Sequence, residues 1–199
     1  MNKKQTILDA ATGLFSQKGF NETPISEISK VTGTAEGTIF YHFKTKEGLF
    51  LAILENFKDS IVAEFKRYMG EQKFDSGLRM MEGIVSFYLH LSGSMEDRFL
   101  LLHRHYAYDL SVNNVQCREY LEAIYSYLIE LFERAILLGQ KDGSIDKEVH
   151  PRKTAMIIFG MVDALVRFNT YNLYDAGALY DELISSCRKI LEAAKSVCR

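Results

Sequence analysis

The chain has only two prolines in 199 residues, Pro24 and Pro151, and few runs in which β-branched residues alternate with polar ones. Long helices therefore go uninterrupted and there is little from which to build a sheet, so the expected class is all-α. No run approaches the roughly 18 apolar residues of a membrane span. The N-terminus, MNKKQTILDA, lacks the apolar core of a secretory signal, so the expectation is a cytoplasmic protein with no membrane partner. Cysteine is sparse: Cys117, Cys187 and Cys198 are odd in number and widely spaced, matching neither a disulfide framework nor a metal-ligand pattern. They read as reduced thiols, with redox sensing as the alternative. The chain also lacks a phosphate loop, a dinucleotide-binding glycine pattern, a His-Glu-x-x-His zinc motif and a nucleophile elbow. No enzyme activity, cofactor or metal is expected.

Positive charge is thin where it would matter for nucleic acid. Residues 1–50 hold six lysines against five acids, and no arginine precedes Arg67. The remaining residues are slightly acidic, for a net charge of −2 overall. This footprint predicts weak non-specific DNA affinity without excluding a docked face that makes a few phosphate contacts.

What the chain does have is a pattern between Thr23 and Phe50. Ile25, Ile28 and Val31 recur on one helical face, with Thr23 as N-cap and Pro24 at the first helical position. Gly33 ends that helix, the turn 32–34 is short, and a second helix follows from about Ala35 to His42. Two helices so joined form a helix-turn-helix, which lays its second helix in the major groove. Helices under about 12 residues are marginal alone. The stripe Ile7, Ala10, Ala11, Leu14 and Phe15 supplies a supporting helix before them, with Gly19 as its stop and Phe20 at the junction. The expected domains are 1–48, a three-helix DNA-binding domain, and 49–199, a helical bundle, in about nine helices.

The spaced run Ala10-Ala11, Leu14-Phe15, Lys18-Gly19-Phe20, Thr23, Ile28, Gly33, Gly37-Thr38-Ile39, Tyr41-His42-Phe43, Lys46-Glu47 and Leu49-Phe50 resembles the N-terminal domain of the TetR family of transcriptional repressors. The rest of the chain is similar only in helical layout and in the loop 139–151. The resemblance implies an operator-binding homodimer released by a small molecule. The DNA-facing candidates are Thr23, Thr34, Ala35, Glu36, Gly37, Thr38, Tyr41, His42, Lys44 and Lys46. Lys46 opposes the dipole of the helix that Thr45 would cap, and a phosphate there would account for it. The chain departs from the family pattern at Phe40, where a tyrosine hydroxyl is lost, and at Ala35 and Glu36, where serine and a basic residue are common. Glu36 could accept from a cytosine amine or repel the DNA backbone.

The later helices are expected at 46–69, 75–92, 95–109, 115–138, 152–173 and 176–197. The first carries Leu49, Ile53, Phe57, Ile61 and Phe65 every fourth residue. Ser92-Gly93-Ser94 reads as a break, and 139–151 as a surface loop or hinge. His103 and His105 lie two apart and cannot face the same way on one helix. Candidate effector contacts are Met81, Tyr88, Phe99, His103, Tyr106, Tyr125, Met156, Phe159 and Phe168, whose methionine and aromatic content suits an apolar or aromatic small molecule. Helix 152–173 is apolar on nearly all sides, so a partner chain should cover one of them. The expected dimer contacts are Ile158, Val162, Leu165, Leu183, Cys187, Ile190, Leu191 and Ala194, with Gly160 and Ala164 allowing close approach. Two alternatives remain: control by thiol oxidation or a protein partner, and a small-molecule-binding or enzymatic bundle.

Overall fold

A computed structural model describes residues 2–175 and 177–192. Among the described residues there are ten α-helices, one 3-10 turn and no strand. The helices are α1 (Lys3–Lys18), α2 (Ile25–Thr32), α3 (Glu36–Phe43), α4 (Lys46–Glu71), α5 (Gly77–Ser94), α6 (Glu96–His103), α7 (His105–Asn113), α8 (Val115–Asp142), α9 (Pro151–Thr170) and α10 (Tyr180–Leu191). The fold class is all-α, as the composition implies. No described helix is long and apolar enough to cross a membrane. The chain divides into two compact units. The described residues of Met1–Glu64 and Met95–Ile124 form one, and those of Phe65–Ser94 and Tyr125–Arg199 the other.

The α4 stripe is as expected: Leu49, Ile53, Phe57, Ile61 and Phe65 are all buried. Elsewhere the boundaries move, each for a local reason. Val31 is 61% exposed rather than core. At about 100° per residue, two steps of three carry it some 120° around a two-turn helix from Ile25, past the covered face. The 92–94 break is absent. Ser92 and Ser94 turn their hydroxyls back onto the carbonyls of Leu89 and Leu91, at 2.8 and 3.0 Å, and so fit inside α5. The single helix expected over 95–109 is two, broken at Arg104, which is extended at φ −71° and ψ 145°. The helix expected at 115–138 continues to Asp142, through a glycine read as a loop signal. Gly139 serves close packing: a Cβ there would meet the Ile145 side chain at 2.5 Å, and one on Gly77 would lie 2.0 Å from the Gly139 nitrogen.

The stretch after α8 is pinned rather than free to act as a hinge. Gln140 donates its amide to the carbonyls of Asp146, Lys147 and Val149, and Ile145 is buried. Its residues also cap α5, since the Asp142 carboxylate accepts from the Gly77 N–H at 2.7 Å and the Ser144 hydroxyl from Leu78 at 3.2 Å. The final helix is shorter than expected, and Ala194, Val197 and Cys198 lie outside the described residues.

One charged group sits inside the second unit. Glu82 of α5 is 8% exposed and accepts from Arg188 of α10 at 2.5 Å and from Arg79 at 2.7 Å. Desolvation pushes its pKa up, but the hydrogen bonds and charges of Arg188 and Arg79 together outweigh this and hold the carboxyl below its ordinary value. Stability from such a group is present above the unfolded pKa and lost as pH falls through the lower folded one. Glu82→Gln is therefore expected to lower unfolding free energy at neutral pH by about 1–3 kcal/mol. The gap to the parent should close below about pH 4, as urea titrations at several pH values would check.

Candidate nucleic-acid interface

The first unit presents α3 on a support of aromatic rings and backbone clamps. Within α3, Ile39 and Phe43 are buried and hold the helix inward. Ala35, Glu36, Gly37, Phe40, Tyr41, His42 and Lys44 are exposed, and Thr34 and Thr38 half-buried. Gly33 closes α2 in the left-handed region at φ 64° and donates to the Ser29 carbonyl, so the turn into α3 is as short as expected. The end of α3 is equally tight. Lys44 takes φ 65°, and a Cβ on Gly48 would lie 2.1 Å from the Phe43 carbonyl oxygen. Thr45 caps α4 by accepting from the Gly48 N–H at 2.8 Å, as expected.

Thr23 departs from expectation. Pro24 occupies the capping position of α2, with no side-chain cap. Thr23 is fully buried, and its hydroxyl donates to the Gly19 carbonyl at 2.8 Å. It closes the loop between α1 and α2 from within and has no surface to offer a phosphate. Lys46 has an internal reason for its place. Its ammonium lies 4.4 Å from the centre of the Phe20 ring and donates to the Asn21 carbonyl at 3.4 Å. Burial lowers its pKa, against the raising effect of Glu22. Lys44 packs over the Tyr41 ring at 5.4 Å and donates to the Tyr41 carbonyl. Tyr41 itself is 73% exposed.

The support comes from α6 and α7. Arg104, at their junction, donates through Nε to the Ser16 carbonyl at 2.8 Å and through a terminal nitrogen to that of Gln17 at 3.0 Å. These are carbonyls of the last turn of α1, which lack helical partners. The Asp97 carboxylate accepts from the Ser16 hydroxyl at 2.7 Å. Tyr106 stacks on Phe20 with ring centres 3.8 Å apart and meets Phe50 edge-on at 4.9 Å. Burial, then Glu47 and Cys117, push its phenol up to about 12, so it stays neutral. These groups, 56 to 88 residues distant in sequence from their partners, carry no local signal of that role.

The effector candidates do not form one group. Tyr88, Tyr125 and Phe159 meet in the second unit, with rings about 6 Å apart, and the Tyr88 hydroxyl donates to Asp163 at 2.8 Å. Met81 is fully buried in the same unit. Phe168 lies against Tyr174, and Met156 is 53% exposed. Phe99 and His103 pack in the first unit, and Tyr106 belongs to the α1 support described above. Of the expected dimer contacts, Ile158, Val162, Leu183, Cys187 and Leu191 are buried within the protomer, Leu165 is half-buried and Ile190 is 37% exposed. The apolar face that α9 leaves open is instead Met156, Ile157, Gly160 and Ala164. Among the described residues, no group of three or more His, Cys, Asp or Glu is placed to hold a metal ion.

Residues 7–53, which span α1, α2, α3 and the start of α4, match the model of bacterial regulatory proteins of the tetR family. These residues are a DNA-binding domain of the tetR type. The chain is a DNA-binding transcriptional regulator, and its relatives are named as regulators rather than enzymes. The "Fatty acid metabolism regulator protein" of Bacillus subtilis (strain 168) is 24% identical over 184 residues, 92% of each chain. The regulator QacR of Staphylococcus aureus is 50% identical over 54 residues, 27% of this chain and 29% of its own. Among solved structures, FadR from Bacillus subtilis in complex with stearoyl-CoA superposes with a TM-score of 0.75 at 20% identity, covering 94% of this chain and 99% of that one. This last likeness bears on the fold alone.

Because the TetR-type reading head rests on the Arg104 contacts, Arg104→Ala should leave two α1 carbonyls unpaired. It is expected to destabilise the first unit by about 1–3 kcal/mol. Hydrogen exchange should quicken at the N–H groups of the last α1 turn and of α2 before it does so in α9.

Proposed function

We propose that this TetR-family chain is a homodimeric repressor that reads a palindromic operator and is released by a small apolar effector. The observation that carries the reading is the exposed face of α3, where Ala35, Glu36, Gly37, Tyr41, His42 and Lys44 are exposed to solvent while Ile39 and Phe43 anchor the helix from behind. Gly37 has nothing within 4 Å of its missing Cβ, which suits close approach to a groove wall. Thr34, Thr38, Tyr41 and His42 supply donors for phosphates, Lys44 and Lys46 supply charge, and Glu36 meets a base edge. The reading domain is assigned to 1–48 and the effector and dimerisation domain to 49–199. DNA as the partner places the protein in the cytoplasm.

The second copy is assigned to the α9 face of Met156, Ile157, Gly160 and Ala164, continued by Ile190 of α10. Small residues four apart let two helix backbones come close, and the surrounding apolar side chains need cover from water. The apolar character of the effector rests on the fatty-acid regulator named among the relatives. The effector acts only by preferring the conformation that cannot hold DNA. In this scheme it displaces α6 and α7 against α4 and α1. Thiol control is disfavoured at two of the three cysteines: Cys117 and Cys187 are buried, and desolvation pushes both thiols up to about 11, leaving little reactive thiolate.

Selection from a random duplex pool at fixed salt is expected to enrich a palindrome with half-sites about one helical turn apart, roughly 34–36 Å. Failure of the folded, dimeric protein to enrich any sequence would overturn the reading. Gly160→Glu adds a charge where nothing lies within 4 Å in the protomer, so the protomer fold should survive. Light scattering is expected to give a monomer, and the selected full site should bind no better than a half-site.

A further inference from the structure

The first unit holds a stack of three groups that lies apart from the exposed face of α3. Tyr106 of α7 covers Phe20 with ring centres 3.8 Å apart and planes 11° from parallel. The Lys46 ammonium sits 4.4 Å from the same Phe20 centre. Tyr106 fills one face of that ring, so the ammonium takes the other. Phe50 meets Phe20 at 5.6 Å and Tyr106 at 4.9 Å, nearly perpendicular to both. In a close-packed cluster Phe20 cannot turn away from the lysine without displacing one of these rings. Phe20, Lys46 and Tyr106 are each half-buried, so the stack reaches the surface at the first residue of α4.

The kind of partner matters here. Lys46 donates to the Asn21 carbonyl at 3.4 Å. Glu22 is near enough to raise its pKa, yet among the described residues no carboxylate forms an ion pair with it. A paired carboxylate would neutralise the charge and compete with a phosphate. A ring face and a carbonyl hold an ammonium in place and leave its charge intact. An ammonium has three hydrogens. The carbonyl takes one and the ring faces another, which leaves a donor for an outside acceptor. A side chain ordered in advance loses less entropy when that acceptor arrives. Positive charge is also scarce, with six lysines against five acids in residues 1–50, so each placed charge carries a larger share of DNA affinity.

We infer that Phe20 and Tyr106 are positioning residues for DNA binding, whose stack holds the Lys46 ammonium where it meets a backbone phosphate. The inference rests on the proposed reading of Lys46 as a source of charge for DNA. It adds two residues that touch no DNA themselves and act through the lysine.

The test is fluorescence anisotropy of a labelled random-sequence duplex, titrated with the full chain at several salt concentrations. Lys46→Met is expected to lower the slope of log affinity against log salt by about 0.9, the share of one phosphate contact. Phe20→Leu and Tyr106→Leu are each expected to weaken binding about threefold or more, because a released lysine must be ordered again on DNA. In the Lys46→Met background the same two changes should have no further effect. Tyr106→Phe keeps the ring and should restore what Tyr106→Leu loses. Tyr106→Leu, at the outer end of the stack, carries the test where Phe20→Leu folds poorly. Weakening that persists without Lys46 would mean that the rings only support the fold, and would overturn the inference. Ring variants that bind as the parent does, while Lys46→Met still lowers the slope, would overturn it and leave the phosphate reading standing. An unchanged slope in Lys46→Met removes the phosphate reading and the inference with it.

Discussion

The carbonyls of Ser16 and Gln17, at the end of α1, have no partners within their own helix, and the guanidinium of Arg104 takes both. That contact positions the helix on which the reading head is built. Around it Asp97 accepts from Ser16, and Tyr106 stacks on Phe20. Phe20 in turn carries the ammonium of Lys46 and meets the Phe15 and Phe50 rings. The orientation of α3 thus depends on a break between two helices some 60 residues further along the chain. A planar fork with several donors suits this role better than a lysine, because it can hold two adjacent carbonyls at once.

Residues 1–50 carry six lysines against five acids, so on the proposed DNA reading phosphate contacts are few and non-specific affinity is weak. Phe40 of α3, where the family resemblance implied a tyrosine, is 42% exposed, and Val31 of α2, expected in the core, is 61% exposed. Both are surface features of helices too short to bury more than one side.

The second unit is built on close approach and a buried ion network. Gly77 and Gly139 let α5 and α8 touch backbone to backbone, and Glu82 joins α5 to α10 through two arginines. Tyr88, a residue that looked like a ligand contact, is committed to Asp163 in the same core. A cavity of about 440 Å³ lies beside that core, lined by Ser86, Leu89 and Ser92 of α5, Val166 and Asn169 of α9, and Tyr180 of α10.

The amino-acid sequence by itself determined the all-α class, the helix-turn-helix with its Gly33 turn, the Thr45 cap and the α4 stripe. Each depends on periodicity or on a cap within a few residues, and such signals are local. The tertiary structure alone decided that Thr23 faces inward, that the 95–109 segment breaks at Arg104, and which side of α9 stays open. It also decided that Gly139 packs rather than turns. These outcomes depend on partners that in several cases are 60 to 106 residues away, and on which of two apolar faces another helix happens to cover. A side chain's pattern along its own helix carries no record of either.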